Sequence, residues 1–191
     1  MIAGIVLAAG FARRMGRQKL LLQLQGKPVV RWAVERLLSR VEDLVVVTGR
    51  DEASVREGLA GLAVRFALNP RPQEGQGSSI AVGVAALTPW TRAVLIALGD
   101  QPRTPDPVVP ALLAAFARSG KPIVVPVFKG VQGTPVIFAR DVFPELRRLT
   151  GDGGARSVVD ALPARVERVA FDLPMPPDVD TPEDYARLHV Q

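Results

Sequence analysis

The chain has 191 residues, of which 48% are hydrophobic and 23% are charged, with a formal net charge of +5 and no cysteine. This is the composition of an ordinary globular protein, so intrinsic disorder is excluded, as are disulfides, a thiolate zinc site and a cysteine nucleophile. No apolar run approaches the ~20 residues that cross a bilayer, and no basic leader precedes the first apolar run, so we expect one cytoplasmic domain, residues 1–191, with no membrane partner.

The first two thirds of the chain alternate short apolar runs with amphipathic stretches. Five apolar runs predict buried strands, at residues 2–8, 44–48, 64–68, 93–98 and 123–127. Four stretches with apolar residues at helical spacing lie between them, at residues 29–38, 53–59, 78–87 and 107–118. Strands that alternate with helices predict a three-layer α/β/α fold around a mostly parallel, doubly wound, Rossmann-like sheet.

The pattern changes after Phe128. Gly130 and Gly133 separate two short extended pieces, which we interpret as an inserted β-hairpin and lid region. Two helical stretches (141–149 and 155–162), a final strand (166–171) and a last helix are predicted after them. Thr181 is the predicted N-cap of the last helix, with Pro182 at its first helical position.

The loop after the first strand combines small residues with positive charge. The strand ends in Leu7, Ala8, Ala9 and Gly10, and the basic residues that follow are Arg13, Arg14, Arg17 and Lys19. Ligands of open α/β sheets bind beyond the carboxyl ends of strands, where small residues let backbone amides approach phosphate oxygens. The loop therefore predicts a polyphosphate site, although its spacing is neither GxGxxG nor that of a P-loop. The alternative is that Gly10 and Gly16 only permit a tight turn beside solvated basic side chains.

Two acidic segments predict a magnesium site. Asp100 directly follows the fourth strand, where a carboxylate needs a partner, and magnesium prefers oxygen ligands; the alternative is that Asp100 caps the turn before Pro102. Asp178 and Asp180 alternate in an extended segment, so both side chains point to one side and can face one cation, while either can instead cap the final helix. We predict Asp100 and Asp180 as the magnesium ligands.

The positive charge is spread along the whole chain. Aromatic residues make up only 5% of it, and no basic run is interleaved with stacking side chains, so we expect no nucleic-acid partner. A nucleic-acid binder stays open as an alternative that predicts a steep salt dependence. The single histidine, His189, lies two residues from the C-terminus and is predicted to be an exposed tail residue rather than a catalytic base.

Several motifs together resemble the signature of the MobA-like nucleotidyltransferases and span nearly the whole chain. They are Leu7 to Gly10 with Arg14, Met15, Gly16 and Lys19, then Gly26, Lys27 and Pro28, then Asn69 and Pro70, and the runs 75–79, 98–102, 151–156 and 178–184. The resemblance implies a fold of the nucleotide-diphospho-sugar transferase type and an enzyme that transfers a nucleotidyl group with magnesium.

Within this family the chain most resembles the MocA branch, the molybdenum cofactor cytidylyltransferases. Ala9 carries this choice together with the run 151–156, because guanylyl relatives commonly have a second glycine at the position of Ala9. The resemblance implies transfer of CMP from CTP to the terminal phosphate of molybdopterin, with release of pyrophosphate. The family often has Gly-His-Pro where this chain has Gly133, Thr134 and Pro135, which leaves the acceptor contacts open.

The resemblance also implies roles for single residues. The strand end at Leu7 and the backbone amides of Ala8, Ala9 and Gly10 hold the base and the phosphates. Arg14 and Lys19 offset the charge on the α-phosphate and pyrophosphate, and Asp100 acts with them through the magnesium ion that it shares with Asp180. The residues expected to line the nucleoside pocket are Asn69, Gly77, Ser78 and Ser79, although the two serines can instead cap their helix. Arg156 is expected to contact the phosphate of the acceptor or a neighbouring carboxylate.

Three other functions fit the same residues. The donor can be GTP, the acceptor can be another phosphorylated molecule such as a sugar phosphate, and the chain can be a non-catalytic nucleotide-binding accessory protein for a client molybdoenzyme. Lys19, Asp100 and Asp180 argue against the last, because a protein that only binds a nucleotide has no need of them.

Overall fold

A mixed sheet of eight strands forms the centre of the structure, which is a computed structural model that describes residues 1–10 and 18–190, without the side chains of residues 189 and 190. The strands of the described chain are β1 (Ile2–Ala8), β2 (Gln23–Leu24), β3 (Lys27–Pro28), β4 (Asp43–Thr48), β5 (Arg65–Leu68), β6 (Ala93–Leu98), β7 (Ile123–Phe128), β8 (Val131–Gln132), β9 (Val136–Ala139) and β10 (Val166–Phe171). The helices are α1 (Val29–Leu38), α2 (Glu52–Gly58), α3 (Gln76–Ala85), α4 (Val108–Ser119), α5 (Phe143–Arg147), α6 (Gly154–Ala161) and α7 (Pro182–Val190).

The strand order of the main sheet is β10-β7-β9-β6-β1-β4-β5, with β8 paired to β7 at one end. Strand β1 runs parallel to both β4 and β6, β4 runs parallel to β5, and β7 runs parallel to β10. The predicted fold, a mostly parallel sheet with helices on both faces, is confirmed. The small β2–β3 hairpin lies outside this sheet.

The region predicted as an inserted hairpin contributes one strand to the middle of the sheet. Strands β7 and β8 form a tight hairpin at Lys129 and Gly130, both of which have positive φ, as a type I′ turn requires. Strand β9 then pairs antiparallel with both β6 and β7. It can lie there because Val136 and Phe138 are buried on one face of the sheet and Ile137 on the other.

Two apolar clusters cover the two faces of the sheet. Along β1, Ile5 and Leu7 pack on the face covered by α3, α5 and α6, whereas Val6 and Ala8 pack on the face covered by α1, α2 and α4. A strand buried on both faces needs the continuous apolar run from which β1 was predicted. No helix in the described residues is long and apolar enough to span a membrane.

A third, smaller cluster attaches the C-terminal segment to the β2–β3 hairpin. It contains Leu24, Val29, Val179 and Leu188, all buried. The Tyr185 hydroxyl adds a hydrogen bond to the Gln23 carbonyl. This packing determines where the acidic run 178–184 lies in the molecule.

Candidate active site

The site begins where β1 and β6 end side by side. Leu7 pairs with Leu98, and the Gly99 amide donates a hydrogen bond to the Leu7 carbonyl at 3.0 Å. A Cβ on Gly99 would lie 2.9 Å from that carbonyl oxygen, so a side chain here would push the two strand ends apart. Asp100 therefore projects beyond the sheet at the carboxyl end of β6, next to the end of β1.

Lys19 links Asp100 to Asp180. Its Nζ lies 2.6 Å from Asp100 Oδ2 and 2.6 Å from Asp180 Oδ1. The side chain is only 11% exposed, because Lys19 lies in a short 3-10 turn whose next residue, Leu20, is buried under the sheet. Burial by itself lowers the pKa of the Lys19 ammonium, but the two carboxylates outweigh it and raise that pKa above 10.5. Lys19 is thus a fixed cation at neutral pH.

Asp178 and Asp180 reach this point through backbone pairing. The amide of Val179, the residue between them, donates to the Asp100 carbonyl at 3.0 Å, and Val179 is anchored in the third apolar cluster. Thr181 begins α7 as predicted: the Asp184 amide donates to Thr181 Oγ1 at 3.2 Å, and Asp184 Oδ2 accepts from the Thr181 amide at 2.9 Å. This reciprocal capping box holds Asp180 at the start of the helix.

Asp178 makes the site more acidic. Its Oδ1 accepts a hydrogen bond from Gln101 Nε2 at 2.7 Å. Burial, and then repulsion from Asp100 and Asp180, raises the pKa of the Asp178 carboxyl. Asp178 therefore adds negative charge near the two carboxylates that bind the Lys19 ammonium, and this excess of negative charge favours a further cation.

The residues present fit a magnesium ion. No three acidic or histidine side chains in the described chain converge closely enough to cage a metal by themselves. Asp100 and Asp180 do converge, since both lie 2.6 Å from one Lys19 nitrogen. Magnesium binds through one or two carboxylates and completes its shell with water and phosphate oxygens, so this pair is a suitable partial ligand set.

A cleft of about 270 Å³ opens beside Asp100. Of the predicted site residues, those that line it are Leu7, Ala9, Gly10, Ser79 and Asp100. Ala8 does not line the cleft, because its side chain packs in the core on the other face of the sheet. Arg14 lies outside the described residues, as does the rest of the loop from Phe11 to Arg17.

The Asn69 side chain does not line this cleft but holds residues at one end of it through hydrogen bonds. Its Nδ2 donates to Ser78 Oγ at 2.9 Å and to Ser79 Oγ at 3.0 Å, and its Oδ1 accepts from the Arg71 amide at 2.9 Å. The Ser78 hydroxyl donates back to the Gly75 carbonyl at 2.8 Å. Neither serine side chain caps α3, whose N-cap is Gly75.

Gly77 packs against the segment that precedes α6. Its amide donates to the Gly151 carbonyl at 2.9 Å, and a Cβ here would lie 2.8 Å from backbone atoms of Thr150. The Gly151 amide in turn donates to the Glu74 carbonyl at 2.8 Å. Gly77 therefore joins the start of α3 to the loop before α6, and both segments contribute residues to the wall of the cleft.

A second cleft of about 250 Å³ adjoins the first. Its polar lining includes Gln101, Thr134, Arg156 and Asp178. Thr134 precedes a cis proline, and its hydroxyl donates to Gln101 Oε1. Gln101 is thus held between Thr134 and Asp178, while Arg156 lies near the neighbouring carboxylate of Asp160, with 3.6 Å between Nε and Oδ2.

Three polar side chains of the first cleft are not predicted from the sequence: Gln73, Gln76 and Asp152. Gln76 and Asp152 lie inside glycine-containing motifs, in which the glycines draw attention because glycine permits tight turns and a close approach of the backbone. Position along the chain does not reveal that these two motifs meet, and their contact exists only after α3 and α6 have packed together.

The comparisons with known proteins agree with this fold. Residues 4–167 match the MobA-like NTP transferase domain. The chain therefore belongs to the MobA-like NTP transferase family and has the nucleotide-diphospho-sugar transferase fold. Its class is that of the nucleotidyltransferases.

Individual relatives carry different names. The chain is 32% identical to purine catabolism protein PucB of Bacillus subtilis, over 96% of this chain and 94% of PucB. It is 30% identical to a probable molybdenum cofactor guanylyltransferase of Thermococcus gammatolerans, over 64% and 61% of the two chains. The crystal structure of Rv0371c from Mycobacterium tuberculosis covers 100% of this chain and 97% of its own, with 29% identity and a TM-score of 0.90. A second structure of Rv0371c, at 28% identity and a TM-score of 0.86, covering 100% and 98% of the two chains, is a complex with manganese.

Proposed function

We propose that the protein transfers CMP from CTP to the terminal phosphate of molybdopterin and releases pyrophosphate. The observation that carries the proposal is the pair of adjoining clefts, which meet beside a cluster of three carboxylates and one lysine. A transferase needs donor and acceptor side by side, whereas a protein that only binds a nucleotide needs one cleft. The first cleft takes the nucleotide and the second takes the acceptor.

The reaction is an in-line displacement at phosphorus. An oxygen of the terminal phosphate of the acceptor attacks the α-phosphorus of CTP, the bond from that phosphorus to the bridging oxygen of the β-phosphate breaks, and pyrophosphate leaves with the electron pair. A phosphate monoester is largely dianionic near neutral pH, so no side chain has to remove a proton. This agrees with a chain that has no cysteine and one histidine, close to its C-terminus.

The protein then contributes position and charge. Lys19 is the described cation nearest to the acidic cluster, and Arg14 is proposed to act with it on the phosphates. Magnesium, held by Asp100 and Asp180, would neutralise charge on the triphosphate. The manganese in one structure of Rv0371c supports a divalent cation in this family.

CTP is proposed over GTP because of Ala9. This residue lines the first cleft and is 6% exposed, so its methyl group occupies space that a glycine would leave open. GTP is the second candidate, because one relative is named a probable molybdenum cofactor guanylyltransferase. We expect Ala9→Gly to lower the preference for CTP over GTP by roughly tenfold, the effect of one missing methyl or methylene contact on discrimination.

The test is pyrophosphate release from the purified protein with magnesium, molybdopterin and either CTP or GTP. Faster release with CTP supports the proposal, and faster release with GTP keeps the reaction but contradicts the role of Ala9. Binding of CTP without release in the presence of molybdopterin would instead favour another phosphorylated acceptor or an accessory protein. Omission of magnesium with EDTA, followed by readdition of magnesium or manganese, tests the need for a cation.

A further inference from the structure

Gln76 lies in the wall that the two clefts share. Of the residues that the structure describes, only Gln76 and Leu98 line both of them, and only Gln76 is polar. The wall common to a donor cleft and an acceptor cleft is where the transferred phosphorus meets the attacking oxygen. A polar group in this wall is therefore close to the reacting atoms.

The local structure fixes the direction of the Gln76 side chain. Gly75 has a φ of 90°, and a Cβ there would lie 2.3 Å from the Gly151 carbonyl carbon, so the loop before Gln76 is pressed against the loop before α6. On the other side, a Cβ on Gly154 would lie 2.0 Å from Gln76 Oε1. The side-chain amide thus rests in the space that the missing side chain of Gly154 leaves.

The Gln76 amide is available to a ligand. The residue is exposed, and within the described part of the chain no protein group forms a hydrogen bond with its side chain. Gln101, which lines only the second cleft, differs in both respects: it is buried and its amide is held by Thr134 and Asp178. The Gln101 amide therefore holds Thr134 and Asp178 in place, whereas the N–H groups of the Gln76 amide can donate to a ligand.

We infer that Gln76 is a catalytic residue whose side-chain amide donates a hydrogen bond to a non-bridging oxygen of the α-phosphate while the nucleotidyl group is transferred. This inference rests on the proposed function. Negative charge on those oxygens is redistributed as the new bond forms, and a fixed neutral donor stabilises it without a new protein charge. A neutral amide is also suited to a position where two anionic substrates must approach each other.

Kinetics of three matched variants test this role. Gln73 lines only the first cleft and Gln132 only the second, so Gln73→Ala should raise the KM of the nucleotide and Gln132→Ala that of the acceptor. Gln76→Ala should lower kcat on the order of 10²-fold with little change in either KM, as for the loss of one transition-state donor. Gln76→Glu keeps the shape against Gly154 but places a carboxylate beside phosphates, so it should be at least as slow. A Gln76→Glu variant with normal kcat would overturn the inference and leave Gln76 a packing role.

A second test needs no turnover. Because the chain has no cysteine, single-cysteine variants at positions 73, 76 and 132 can each be labelled with a small thiol reagent at one place only. We expect a non-hydrolysable CTP analogue to protect positions 73 and 76, and molybdopterin to protect positions 76 and 132. Protection of position 76 by only one ligand, or by neither, would contradict its place between the two substrates.

The two proposals fail in different ways. Absence of pyrophosphate release from the wild-type chain with either nucleotide would remove the proposed reaction, and cysteine protection then still decides whether Gln76 lies between two ligand sites. Normal release by the wild type and by Gln76→Ala would remove the role of Gln76 alone. All three glutamines are partly or fully exposed, so the variants are expected to fold.

Discussion

Replacement of Lys19 by alanine should destabilise the protein and at the same time abolish most of its turnover. The substitution removes the cation that lies 2.6 Å from both Asp100 and Asp180 and leaves two carboxylates facing each other, with Asp178 nearby. A hydrogen bond to a charged group contributes roughly 1.5–3 kcal/mol when it is shielded from water, as at Asp100, whose side chain is 19% exposed. The bond to Asp180, which is 49% exposed, contributes about 0–1 kcal/mol. The two contributions together give an expected loss in the free energy of unfolding of about 1.5–4 kcal/mol.

The pH dependence of this loss follows from the pKa of Lys19. That pKa is raised above 10.5, so the stabilisation from the ammonium is complete at neutral pH and is lost only as the pH rises through the raised value. Wild type and variant should therefore differ fully at pH 7 and approach each other in strong alkali. Urea unfolding followed by circular dichroism, at pH 7 and without divalent cations, measures the difference.

Lys27 provides a matched control. Its Nζ lies 2.6 Å from Glu35 Oε2, the same separation as in the Lys19 pairs, but the Lys27 side chain is 42% exposed. Lys27→Ala should cost less than about 1 kcal/mol, because water screens the pair. Equal losses for the two variants, or a Lys19→Ala protein within about 0.5 kcal/mol of wild type, would refute the argument from burial. Magnesium should stabilise Lys19→Ala more than wild type, since it can replace the missing cation between the carboxylates.

Three further predictions concern the segments that hold the site in place. Thr181→Ala should lower the free energy of unfolding by about 1 kcal/mol through loss of the capping box, measured by urea unfolding. Thr181 and the backbone amides lower the pKa of Asp184, so the contribution of Asp184 is present at neutral pH, starts to decrease as the pH falls below about 4, its unperturbed value, and is lost as the pH falls through the lowered pKa; an Asp184→Asn penalty at pH 3 as large as at pH 7 would contradict this. Gly77→Ala should cost roughly 1–3 kcal/mol in thermal or urea unfolding, because its Cβ would lie 2.8 Å from the Thr150 backbone. Gly153→Ala, with a φ of −61° and no atom nearer than 3.4 Å, is the control and should cost far less.

The regular elements could be predicted because their signals are local. A continuous apolar run such as β1 identifies a strand buried on both faces, and the Thr181-Pro182 start of α7 identifies a helix end. The charged site residues could be predicted from local signals as well. Asp100, for example, comes just after a buried strand, where a carboxylate needs a partner. Lys19, Asp100 and Asp180 were each predicted, and the structure brings all three together.

The position of β9 and the neighbours of Asn69 could not be predicted in this way. A short apolar segment such as 136–139 has the same sequence pattern whether the strand lies at the edge or in the centre of a sheet. Only packing on both faces decides between these two positions. Asn69 resembles a ligand-binding residue in sequence, but its side-chain amide is used by Ser78, Ser79 and the Arg71 backbone. Hydrogen bonds across a turn depend on the angle at which helix and strand meet, which periodicity does not encode.

The sequence by itself determined the class of fold, the family motifs and the charged residues of the site, because each depends on residue type and short spacing. Only the tertiary structure decided that Lys19 lies between two carboxylates that are 81 and 161 residues away from it along the chain, and that Gln76 lines both clefts. The physical reason is that a site of this kind is assembled from loops at neighbouring strand ends. Strand order, and with it the set of loops that meet, is determined by the packing of the whole sheet and its helices rather than by any local segment.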